Sequence, residues 1–121
     1  MDLSKLTPAP WESVATWKVV GSETGEFILA RGLKGIANFA KEADGDFAAL
    51  ARNAFDVLMR RRWFPNCHNG KWRVESGVVR LEGWIGDVAN PIEANDPFTA
   101  LVEADKWYRE NVEGKLCPTQ A

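Results

Sequence analysis

Apolar and polar residues change rhythm several times along this chain, and each change marks an element. Between residues 16 and 41 the runs TWKVV (16–20), EFILA (26–30) and GIANFAK (35–41) are short and β-prone. GSETG (21–25) separates the first two and RGLK (31–34) the next pair, so the three predict an antiparallel meander joined by tight turns. From Asp44 the period becomes helical. Phe47, Leu50, Ala51, Ala54, Phe55 and Leu58 recur at steps of three and four, which predicts a helix over 44–61 with those side chains on its buried face. Asp44 or Asp46 suits its N-terminus, and Arg60, Arg61 and Arg62 suit its C-terminus, where exposed cations contribute about 0.3–1 kcal/mol each. Arg52, Asp56 and Arg60, four apart, predict exposed ion pairs.

The second half repeats the order. RWFPNCH (62–68), Asn69-Gly70 and KWRVES (71–76) predict a hairpin, because Asn-Gly supplies the two positive φ values of a type I′ turn. VVRLEGWIGD (78–87) predicts a further strand and ANPIEAND (89–96) a loop. A second helix follows over 96–112, with Asp96 as N-cap, Pro97 at the first helical position and Gly114 past the end. Leu101, Ala104 and Tyr108 form its apolar stripe, flanked by Phe98, Ala100 and Trp107. The pairs Asp105 with Arg109 and Lys106 with Glu110 fall on its predicted wet side. Ahead of the first strand, Pro8 and Pro10 predict an irregular strap pinned by Trp11. The expected fold is one α+β domain over 1–121: an antiparallel sheet of five to six strands with two helices on one face. FAALA (47–51) and FTALV (98–102) raise the question of a strand-and-helix unit repeated twice.

LTPAPWE (6–12), DFAALARNAFDVLMRR (46–61) and NDPFTALVEADKWYREN (95–111) resemble stretches of a widespread type of small uncharacterised protein encoded by phages, prophages and some bacterial genomes. They cover under half of the chain. The resemblance implies an accessory protein of a phage or mobile element, and brings with it no catalytic residues and no cofactor.

Composition adds a second question. The chain has 121 residues, six tryptophans and a net charge of −2, but that charge is unevenly spread. Residues 1–51 carry −2, residues 52–80 carry +5 and residues 81–121 carry −5. The basic band either meets the acidic third within the fold or presents a charged face. Two cysteines and an opening, MDLSKLTPAPWE, without the pattern of a signal peptide predict a cytoplasmic, reduced protein. No apolar run approaches the roughly 20 residues that cross a bilayer, so no membrane association is expected.

Candidate chemistry is sparse. Cys67 and His68 are neighbours in a predicted strand, so their side chains leave opposite faces and cannot form a dyad; a packed Cys67 and an exposed His68 are expected. Two cysteines and one histidine, without a CxxC spacing, do not make a zinc site. Asp87, Glu93 and Asp96 bracket one loop and support a metal-dependent hydrolase as a remote alternative, although Asp96 already has a role as cap. No glycine-rich phosphate loop is present. The expectation is therefore a protein without catalytic residues, metal or cofactor. Arg61, Arg62, Trp63, Lys71, Trp72 and Arg73 are its candidate interface, since Trp and Arg dominate interface hot spots. The expected partner is a protein, either a host protein, as for an anti-defence or host-takeover factor, or a second copy. The alternative is nucleic acid, with arginines on phosphates and Trp63 or Trp72 stacked on a base.

Overall fold

The computed structural model describes residues 2–76, 84–87 and 90–114. Three strands come first: β1 (Glu12–Lys18), β2 (Thr24–Arg31) and β3 (Lys34–Lys41). They pair antiparallel in sequence order, with Phe27 of the central strand opposite Ala15 on one side and Phe39 on the other. Alternation along β2 decides which face is covered. Phe27 and Leu29 are buried while Glu26 and Ile28 remain partly exposed, and each fully buried apolar side chain contributes about 1.5–3 kcal/mol.

Helix α1 (Glu42–Arg61) follows β3 without a loop, beginning two residues before the predicted start. Glu42 and Asp44 lie in its first turn, where the helix dipole favours anions, and Lys18 at the end of β1 meets Glu42 at 2.9 Å. The face this helix buries matches its periodicity only in part: Ala54 is buried and Leu50, Ala51 and Leu58 are partly so, but the two phenylalanines are not. Gly45 and Ala49 are buried, whereas Phe47 is 59% exposed and Phe55 lies at the surface. The cause is steric. A Cβ at Gly45 would stand 2.5 Å from Ser13 Oγ and 3.6 Å from Phe27 Cβ, so a sheet face already filled by Phe27 and Leu29 accepts only small residues from the helix.

Two turns further along α1, Asn53 fixes the N-terminal strap. Its Oδ1 accepts from Trp11 N at 2.7 Å and its Nδ2 donates to Trp11 O at 2.9 Å, reproducing a pair of sheet-like hydrogen bonds with one side chain. Trp11 Nε1 donates to Thr7 O, and the Arg52 guanidinium lies 5.7 Å from the Trp11 ring centre. Arg31 Nε donates to Pro8 O. The strap is therefore held by Trp11, as predicted, with Asn53 as its second anchor.

Beyond α1, β4 (Phe64–His68) and β5 (Lys71–Glu75) form the predicted hairpin. Asn69 and Gly70 take φ values of 52° and 80°, as a type I′ turn requires. Backbone bonds add residues on its open side: Ile85 N donates to Val74 O, Trp72 N to Ala94 O and Ala94 N to Trp72 O. The strand predicted over 78–87 lies mainly outside the described residues; Trp84 to Asp87 contribute isolated bridges, Trp84 with Glu75 and Gly86 with Pro91. Helix α2 (Pro97–Tyr108) begins as predicted, with Asp96 accepting from Thr99 N at 2.8 Å and Pro97 in the first turn. A π-helical turn, Arg109–Glu113, replaces the expected last α-turn. Gly114 N closes it by donating to Arg109 O.

The α+β class is as expected, but the strands form two antiparallel sheets, of three and two strands. Among the described residues every strand pair joins sequence neighbours through a short turn, and α1 lies between β3 and β4 in the chain. Two compact units result, Met1–Asp56 and Val57–Ala121. Among the described residues no helix is long and apolar enough to cross a membrane.

Candidate binding site

The candidate interface residues converge on the second unit and then divide by role. Arg61 is the most committed. Its Nε donates to Asp105 Oδ1 at 2.9 Å, and its two terminal nitrogens donate to Glu113 at 2.8 and 2.9 Å. The guanidinium also lies 5.1 Å from the centre of the Trp63 ring and 4.8 Å from that of Tyr108. Only 13% of the side chain is exposed.

Asp105 is the hub of this network and corrects its predicted place on the wet side of α2, because it is buried. Arg60 donates to both of its oxygens at 3.2 Å, Arg61 to one at 2.9 Å, and Arg109 Nε lies 3.0 Å from the other. Burial pushes the Asp105 carboxyl up, yet the hydrogen bonds from Arg60 and Arg61 and the charges of Arg60 and Arg109 outweigh it and hold the group below its ordinary value. Glu113 is lowered first by its hydrogen bonds from Arg61. The Arg61 guanidinium is held more firmly protonated, chiefly by Glu113.

Two cations of the hairpin are also engaged. Arg73 Nε donates to Glu93 at 2.7 Å and its guanidinium lies 5.4 Å from the Trp84 ring centre, while Lys71 donates to the Asn95 side chain at 2.7 Å. Trp72 is half-buried and joined to Ala94 through its backbone. Arg60, Arg61 and Arg73 of the basic middle thus meet Asp105, Glu113 and Glu93 of the acidic third within the second unit. Trp63, at 5% exposure, packs edge-on against Tyr108 with ring centres 5.3 Å apart, and is a core residue. Cys67 is exposed rather than packed, and His68 lies 5.9 Å from the Trp84 ring.

Arg62 differs from its neighbours. It is exposed, no carboxylate pairs with it among the described residues, and its φ is 60°. Its N–H donates to Leu58 O at 3.0 Å, the single bond of an αL helix cap, and Arg62 therefore occupies the position where glycine is usual. Beside it Phe64 is 58% exposed. A cavity of about 560 Å³ opens here, with Arg62 and Phe64 next to Trp63, Ile85 and Tyr108, and with Ser76 and the neutralised Arg61 on its wall. The structure thus gathers Arg61, Arg62 and Trp63 at one cavity and keeps Lys71, Trp72 and Arg73 on the hairpin and its flanking loop.

Phe64 and Tyr108 were not predicted as site residues. The available signal was strand alternation: with Trp63 buried, Phe64 must point the other way. Of the carboxylates named for the hydrolase alternative, Asp96 caps α2 and Glu93 accepts from Arg73. Among the described residues no group of three His, Cys, Asp or Glu side chains is placed to hold a metal ion. No protein-family model matches the chain, and neither a curated protein nor a solved structure matches it.

Proposed function

We propose that this chain is a non-catalytic protein-binding module that engages its partner through the Arg62 and Phe64 rim of the second unit. One observation carries the reading: where Arg60, Arg61 and Arg73 of the basic band are tied to carboxylates, Arg62 has no carboxylate partner among the described residues and stands beside an exposed phenylalanine and an aromatic-walled cavity. Arginine and aromatic side chains around a pocket are the usual composition of an interface hot spot. Such a module would act in the cytoplasm as an accessory factor of a phage or mobile element that occupies a host protein.

Affinity capture from host lysate tests it. A specific partner should be retained by the wild type and by a surface control such as Lys34→Ala, and lost by Phe64→Ala and Arg62→Glu, with all proteins showing cooperative melts. Capture that is indifferent to both rim substitutions would reject the site.

A further inference from the structure

The cavity rim also specifies the chemistry of what it receives. Arg62 occupies a left-handed backbone position in which a Cβ is disfavoured and which glycine fills without strain. The cap does not call for the arginine side chain, because a glycine would make the same hydrogen bond to Leu58 O, and that side chain is left exposed. The walls it overlooks are apolar and aromatic, from Trp63, Phe64, Ile85 and Tyr108. At about 560 Å³ the cavity lies within the roughly 300–1,000 Å³ of ordinary ligand pockets.

We infer that the cavity receives an aromatic side chain of a partner polypeptide while Arg62 pairs with a carboxylate next to it in that partner's sequence. This rests on the protein-binding reading above and gives it a ligand class. A carboxylate fits because Arg62 offers the one arginine charge at the rim that no acidic group of the described residues neutralises, and a planar guanidinium accepts a carboxylate through two parallel hydrogen bonds. A nucleic acid fits less well. It needs a row of cations for successive phosphates, whereas Arg61 behind Arg62 is held by Asp105 and Glu113, whose charges oppose a second phosphate.

The test is a titration of the isotope-labelled full chain, followed by amide shifts, with the blocked tetrapeptide acetyl-Ala-Asp-Phe-Ala-amide. Controls are its Asn-for-Asp and Ala-for-Phe analogues and an oligothymidylate. The expected result is shifts centred on Arg62, Phe64, Ser76 and Tyr108, with affinity about tenfold weaker for each peptide analogue, as loss of one charge-assisted contact or one anchor side chain implies. Arg62→Gly, which keeps the cap and therefore the fold, should remove the preference for Asp over Asn. Equal affinity for the Asp and Asn peptides, or no peptide binding at millimolar concentration, overturns the inference. Tighter binding of the oligothymidylate at the same residues overturns it in favour of nucleic acid. If the peptides fail while Phe64-dependent capture from lysate persists, protein binding stands and only the assigned chemistry falls.

Discussion

Arg61 and Asp105, forty-four positions apart in sequence, meet at 2.9 Å in the interior of the second unit. This pair explains why an arginine cluster that looks like a nucleic-acid surface is mostly structure. Neutralising the buried carboxylate removes the shared partner of the partly exposed Arg60 and Arg109 and of Arg61, which keeps Glu113, so the cost is that of lost charge-assisted hydrogen bonds, about 1–3 kcal/mol. Asp105→Asn should lower the urea midpoint accordingly, with exchange of the α2 amides accelerated first. A loss below about 0.5 kcal/mol would show that water compensates the arginines.

The same group sets an acid limit. Its pKa lies below the ordinary 3.8, so its contribution is present in full above that value and is lost as pH falls through the lower folded pKa. The stability difference between wild type and Asp105→Asn should be constant near neutrality and shrink only below about pH 3.8. Urea melts at several pH values between neutrality and strong acid read this directly. A difference that closes near neutral pH would contradict the assignment of Asp105 as the charged hub.

Adjacent residues at the rim should separate cleanly. Trp63 is core and Phe64 is surface, so Trp63→Ala should cost about 3–5 kcal/mol while Phe64→Ala stays within about 0.5 kcal/mol. Thermal melts of the two variants decide. The comparison also guards the binding assay, because lost capture by Trp63→Ala would report unfolding, whereas lost capture by Phe64→Ala would report the interface.

Arg62→Gly should stabilise the protein while removing its recognition chemistry. The left-handed conformation costs a residue with a Cβ roughly 1–2 kcal/mol, against about 0.5–1 kcal/mol for the extra chain entropy of glycine, which leaves a gain of about 0.5–1 kcal/mol. A melting temperature at or below that of wild type would mean that the Arg62 side chain itself stabilises the fold, and would weaken its assignment to a partner.

Local signals were legible in the sequence and long-range ones were not. Asn69-Gly70, Asp96 with Pro97 and the turn between Arg31 and Lys34 act over two to four residues, and each lies where the sequence places it, while the first turn of the meander falls between Lys18 and Thr24, about two residues before its expected 21–25. The destinations of the arginines depended on Asp105, Glu113 and Glu93, which only folding brings near. The single sheet is not what the described residues form, for a related reason, since strand runs show which segments extend but not whether hairpins join. Arg62 could be read as a helix-ending cation, but neither its backbone conformation nor its unpaired charge could be known without the structure.

The buried face of α1 gives the sharpest case of a pattern partly overruled by packing, and it can be tested by a double-mutant cycle. Gly45, at the end of the first turn of α1, gives up at most about 1 kcal/mol relative to alanine, so Gly45→Ala would ordinarily stabilise. Here the new Cβ would lie 2.5 Å from Ser13 Oγ, and the overpacking should reverse the sign, for a net loss of about 1 kcal/mol. Ser13 Oγ is itself buried without a hydrogen-bond partner among the described residues, so Ser13→Ala should be neutral or slightly stabilising. With that oxygen gone, the nearest atoms to a Cβ at position 45 become Ser13 Cβ at 3.4 Å and Phe27 Cβ at 3.6 Å, which is ordinary contact. The Ser13→Ala, Gly45→Ala double variant should therefore exceed wild type in stability, with a coupling of at least about 1 kcal/mol between the sites. Additive effects in urea melts would mean that α1 does not approach β1 through Gly45, and the helix face that carries Phe47 would then be the one to reconsider as buried.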